Sequence, residues 1–327
     1  MDLFQIITEI EKVDPEVYER FDTRRRVFKH LSGMGKKLTA AAVPGFVAAL
    51  FNKAYGQNAG PSVADVLNLA LSLEYLEYYF YDTGLNTPGL IPDADRQAIT
   101  TIRNDESGHI KVLREALTKV GGTAIPDPGR ATFDYSGGKG SGLGPFAAAL
   151  LPGGTALYYG VAQSFVDTGV RAYKGGAPFL MTNADILEQA LNIHSVEARH
   201  SSHIRTIRRG LAAAVSGPGA ATTPPGADPK LSPKSWISGN DQGGPSPNTN
   251  PSTADVYGPG TNPPPPGVPT GITFPGEDNV AQAGRTITTD STISAAAASE
   301  AFDEPLDYVK VKAIARNFVK PNTLFLD

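Results

Sequence analysis

The chain of 327 residues contains no cysteine, so disulfide bridges, thiolate metal sites and cysteine nucleophiles are all excluded. Excess charge is also small. A formal net charge of −4 argues against a generally nucleic-acid-binding surface, and no nucleic-acid partner is expected, although Arg24-Arg25-Arg26 and the group Arg205, Arg208 and Arg209 are locally positive. Long apolar runs are missing too: Leu38 to Phe51 is short and interrupted by Pro44, so no integral membrane span is expected. No Gly-x-Ser-x-Gly element marks a serine nucleophile, and Ser201-Ser202-His203 lie too close in sequence to suggest one. The run Gly137-Gly138-Lys139-Gly140-Ser141-Gly142 lacks the spacing of a phosphate loop and falls between expected helices.

Glycine and proline, by contrast, are abundant and uneven. The 35 Gly and 27 Pro concentrate after residue 120 and again between 210 and 276, which separates helical from loop material. Upstream, 2–13, 15–31 and 34–53 read as three helices. Four stronger amphipathic segments follow. The first runs from Ser62 to Tyr81 and is ended by Asp82-Thr83-Gly84; the second runs from Asp93 to Val120. The third, Thr155 to Tyr173, stops before Lys174-Gly175-Gly176-Ala177-Pro178, and the fourth, from Asn183 or Ala184 to Arg209, stops at Gly210. The middle connection, 121–154, is long and its two neighbours are short, the pattern of an all-α four-helix bundle with one long crossover.

Four regions are therefore expected: an N-terminal helical extension (1–58), the bundle (59–210), a Pro/Gly-rich segment (211–285) and a terminal helical segment (286–327). In the third, Trp236, Ile237, Tyr257, Ile272 and Phe274 are spaced as anchors with which the segment wraps the bundle. Tyr308, Val309, Val311, Ile314, Ala315 and Phe318 fit a closing helix. In the extension, Thr23 to Lys29 before an apolar run is similar to a twin-arginine export signal, which implies the periplasm or cell envelope. The stripe Leu3, Ile6, Ile7 and Ile10 favours retained helices instead, and with them a cytoplasmic protein.

Two matching tetrads carry the chemistry: Glu106-Ser107-Gly108-His109 and Glu197-Ala198-Arg199-His200. Carboxylate and imidazole three residues apart share a helix face, so two such helices packed together supply the mixed oxygen and nitrogen donors suited to iron, manganese or zinc. Glu74 interrupts the apolar face of the first helix and is a third carboxylate directed inward; Glu77, one turn on, is its alternative or a supporting group. The candidate ligands are Glu74, Glu106, His109, Glu197 and His200. His194 and His203 continue the three-residue spacing, but such steps drift around a helix, and both read as edge residues.

These residues resemble the ferritin-like superfamily, and within it the desiccation-related group of bacteria and plants. Leu67 to Glu77 looks like that group's first bundle helix, the two Glu-x-x-His elements like its second and fourth, Asp167-Thr168-Gly169-Val170-Arg171-Ala172-Tyr173 like its third, and Ala301-Phe302-Asp303-Glu304-Pro305 like its terminal part. The resemblance implies a ferritin-like bundle, a stress-related role and a metal site. It also implies a glutamate just before the Asp-x-Gly-Val element, where this chain has Val166. With that carboxylate missing, the expectation is a mononuclear or incomplete dinuclear site, with enzymatic activity left open. The alternative is a non-enzymatic structural or assembly protein, forming a homo-oligomer on a ferritin-like scaffold whose metal site is vestigial.

Overall fold

The computed structural model describes residues 60–215, 237, 254–289 and 293–321. The helices expected at 2–13, 15–31 and 34–53, the Thr23–Lys29 segment and the anchor Trp236 lie outside these residues. Four long helices dominate: α1 (Val63–Asn86), α2 (Asp93–Lys119), α3 (Thr155–Leu180) and α4 (Ala184–Val215). Short pieces follow, namely α5 (Ala254–Tyr257), the hairpin of β1 (Ala281–Gln282) and β2 (Arg285–Thr286), α6 (Ala295–Ser299) and α7 (Tyr308–Arg316).

Local chemistry starts these helices where expected. Ser62 caps α1 by accepting from the Asp65 amide at 3.2 Å, while Asp65 Oδ2 accepts from the Ser62 amide at 2.8 Å, a reciprocal capping box. Asp307 caps α7, its carboxylate accepting from the amides of Val309 and Lys310.

The helix ends differ from the reading of the sequence. Helix α1 continues through Gly84, α3 continues through Gly175, Gly176 and Pro178, and α4 passes Gly210. At two of these positions glycine permits close approach instead of ending a helix. A Cβ on Gly84 would stand 2.5 Å from the Tyr158 ring, and one on Gly175 would stand 1.9 Å from the Leu306 carbonyl oxygen.

Helix α1 packs on α2, α3 packs on α4, and α1 also packs on α3, a helix arrangement consistent with a ferritin-like four-helix bundle with extra helices added. The core between them is aromatic at one end. Phe80 stacks on Tyr158 with centroids 4.7 Å apart and meets Phe165 edge-on at 5.1 Å. The segment between α2 and α3 contributes Tyr135, whose hydroxyl donates to the Leu76 carbonyl at 2.7 Å. Among the expected anchors, Ile237, Tyr257 and Phe274 are buried and Ile272 is half-buried; Val311, Ile314, Ala315 and Phe318 are buried at or just beyond α7. Among the described residues, no helix is long and apolar enough to cross a membrane.

Candidate metal centre

Three helices aim charged side chains at one point of the core. Helix α1 contributes Glu74, α2 contributes Glu106 and His109, and α4 contributes Glu197; one donor atom from each lies within 4.8 Å of all the others, and all four residues are buried. His109 Nδ1 is the hub, 3.1 Å from Glu74 Oε2, 3.0 Å from Glu106 Oε2 and 3.7 Å from Glu197 Oε1. His200 stands beside this group, its Nδ1 3.2 Å from Glu106 Oε1 and 3.8 Å from Glu197 Oε1. That nearer contact is close enough for attraction but is not aligned as a hydrogen bond.

Neighbouring groups hold these side chains in place. The Tyr173 hydroxyl donates to Glu74 Oε1 at 2.5 Å, and Asp105 Oδ2 meets His200 Nε2 at 3.0 Å, leaving His200 Nδ1 directed at the carboxylates. Asp105 was not singled out in the sequence. It adjoins Glu106 and is partly exposed, and nothing in the pattern separates it from an ordinary surface acid. A groove between α2 and α4, lined by Thr101, Asp105, His109, Val196, His200 and His203, reaches both imidazoles from the surface.

Burial and mutual repulsion set the electrostatics. Burial raises the carboxyl pKa of Glu77 and of Glu197 well above the ordinary range, and in both the charge on Glu106 adds to it. Burial opposes charge on His109, but Glu74 and Glu106 outweigh it and push the imidazolium up to about 11. His200 is likewise opposed by burial and raised by Glu106, to about 9. Glu106 is the exception among the acids: burial works to raise it, yet its contacts with His109 and His200 prevail and hold it low.

The donors fit a metal on a further count. Six buried polar atoms without a hydrogen-bond partner gather here: Glu77 Oε2, Tyr81 Oη, Glu106 Oε1, both carboxylate oxygens of Glu197, and His200 Nδ1. A buried acceptor left unsatisfied costs about 1–3 kcal/mol. Several in one place are costly unless a cation belongs among them, and a carboxylate and imidazole set suits a first-row transition metal.

The third helix turns no carboxylate to this centre. Val166 is fully buried. Asp167 is engaged elsewhere, its Oδ1 accepting from the Ser201 hydroxyl at 2.7 Å and its Oδ2 from Arg205 at 2.5 Å and the Tyr257 hydroxyl at 2.7 Å. What α3 does provide is room, since a Cβ on Gly169 would lie 2.8 Å from Glu197 Oε2. His194 bonds through Nδ1 to the Val170 carbonyl at 3.0 Å, and His203 is exposed at the groove.

Residues 62–209 match the family described as Ferritin-like domain. No curated protein and no solved structure matches the chain. The matched span runs from the cap of α1 into α4 and includes every member of the carboxylate and histidine cluster. This part of the chain is a ferritin-like domain, and it carries a candidate metal-binding cluster at its centre.

Proposed function

We propose that the ferritin-like bundle binds a transition-metal dication, iron, manganese or zinc, through Glu74, Glu106, His109 and Glu197, with His200 alongside. The observation that carries this reading is the convergence of buried donor atoms that have no partner in the protein. A bound dication would offset much of the carboxylate charge and supply Lewis acidity or, as iron or manganese, redox capacity. The protein's own part is positional: Tyr173 orients Glu74, Asp105 orients His200, and Gly169 clears space for Glu197. The motif order shared with desiccation-related proteins supports a stress-related role. The same reading takes 121–154 as the crossover and the segment after the bundle as a wrap around it.

A second reading, a structural scaffold with a vestigial site, is favoured by one contact. His109 bridges Glu74 and Glu106, so a protonated imidazole can stabilise part of the cluster unaided. Metal analysis of protein purified without chelator separates the two. The metal reading expects stoichiometric metal in the parent protein and almost none in a folded Glu106→Ala/Glu197→Ala variant. A metal content near zero in the parent, after exposure to iron, manganese and zinc in turn, overturns it in favour of the scaffold.

A further inference from the structure

Where the segments added to the bundle meet α3, the packing leaves a cavity of about 230 Å³. Its walls come from the segment between α2 and α3, from α3 itself, from α5 and from the end of α7. None of the carboxylates and imidazoles of the metal centre lines it. Protein interiors are close-packed, and voids much larger than a water molecule are few. An apolar cavity of about 150 Å³ takes up benzene, so this one has room for such a ring and a short arm.

The floor is aromatic. Phe146, Phe165 and Phe318 are buried, and the Phe318 ring meets Phe165 edge-on at 4.7 Å and stacks on Phe146 at 5.9 Å between centroids. Rings in this arrangement pack against a further aromatic ring, and their negative faces attract a cation.

The polar groups at the cavity are mainly acceptors. Ser164 is buried and its hydroxyl donates to the Gly160 carbonyl at 3.1 Å, which leaves the oxygen lone pairs to accept. Among the described lining residues Asp255 alone is charged, and it is exposed at the mouth. Its Oδ1 accepts from Lys310 Nζ at 2.8 Å, whereas Oδ2 has no bond among the described residues. Asn317 donates through its amide to the Ile314 carbonyl and accepts from the Lys139 amide; its side chain has no bond among the described residues. We propose that this cavity binds a small aromatic amine, its ring on Phe146, Phe165 and Phe318 and its ammonium group at Asp255. A carboxylate, ring faces and a hydroxyl oxygen all favour positive charge, and no cation among the described lining residues would receive an acid.

Full-length protein freed of metal is titrated by calorimetry with phenethylammonium and with hydrocinnamate, which carries the same ring on an arm of opposite charge. The amine is expected to saturate with a Kd below about 1 mM, and the acid to bind at least about tenfold more weakly. Asp255→Asn is expected to weaken the amine about threefold to fivefold, as for a solvent-exposed ion pair, and Lys310→Met, which frees Asp255, to tighten it. Asn317→Phe places a ring in the cavity and is expected to abolish binding while helical circular dichroism matches the parent. The parent alone can overturn the proposal: no saturation by the amine up to about 10 mM, or an acid bound as tightly as the amine, does so. Amine affinity unchanged in both Asp255→Asn and Lys310→Met overturns the part given to the carboxylate. Undiminished binding to a folded Asn317→Phe puts the amine elsewhere and overturns the site.

Discussion

At the scale of single residues, the site depends as much on what is small as on what is charged. Gly169 faces Glu197, and a methyl group there would lie 2.8 Å from Oε2, so Gly169→Ala must displace the carboxylate. In an exposed helix interior Ala is favoured over Gly by about 0.8–1.0 kcal/mol, and here the displaced atom is the end of a flexible side chain. The metal-free variant is therefore expected to melt at or above the parent temperature while its Mn(II) affinity falls about tenfold or more, a loss of about 1.4 kcal/mol. Calorimetric titration together with thermal denaturation checks this. Unchanged affinity would show that Glu197 is not a ligand. Residues at this scale were partly legible in the sequence. The tetrads and Glu74 stand out because a charged residue breaks an apolar stripe or repeats at helical spacing. The roles of Asp105 and Gly169 depend on the packing of one helix against another, which no spacing within a helix reveals.

At the scale of elements, glycine was the main source of misreading. Gly84, Gly175 and Gly210 look like helix stops because helices often end on glycine, yet α1, α3 and α4 run through them. Tertiary packing decides: the first two let Tyr158 and the Leu306 backbone approach. The glycine-rich loop after α2 shows a related substitution of purpose. Its amides at Gly140 and Gly142 donate to Asp134 Oδ2 at 2.6 and 3.1 Å, and Ser136 donates to Asp134 Oδ1 through its amide at 3.1 Å and its hydroxyl at 2.6 Å. An internal carboxylate thus occupies amides that a phosphate would need. Burial alone would raise the pKa of Asp134, but the Ser136 hydroxyl and the loop amides outweigh it and hold it below 3.8. Because the folded value is depressed, this stabilisation is complete above the unfolded pKa and is lost as pH falls through the folded one. Asp134→Asn is expected to lower stability by about 1–3 kcal/mol at neutral pH, with the difference from the parent narrowing below pH about 4. Urea denaturation across pH measures both; a difference independent of pH would contradict the assignment.

At the scale of the whole molecule, one arginine ties the bundle to the chain that follows it. Arg171 on α3 is fully buried; it donates to the carbonyls of Val256, Gly258, Pro275, Glu304 and Pro305, and its Nε lies 2.8 Å from Glu277 Oε1. These acceptors come from segments distant in sequence, so the link closes only when all of them are in place. In the sequence Arg171 was visible as part of the third-helix motif, but apart from Glu277 its acceptors are backbone carbonyls, which carry no side-chain signature. Arg171→Met is expected to strand the carboxylate of Glu277 and five carbonyls, two of them buried and three half-buried, and to cost about 3–5 kcal/mol in urea denaturation. Proteolysis of the native variant should then cut first within 254–321, because those segments lose their shared donor while the bundle core keeps its apolar contacts. Glu277→Gln removes only the charge, leaves the carbonyl network on Arg171, and is expected to cost less. A loss below about 1 kcal/mol for Arg171→Met, with an unchanged cleavage pattern, would show that the apolar anchors Tyr257 and Phe274 hold the following chain without the arginine.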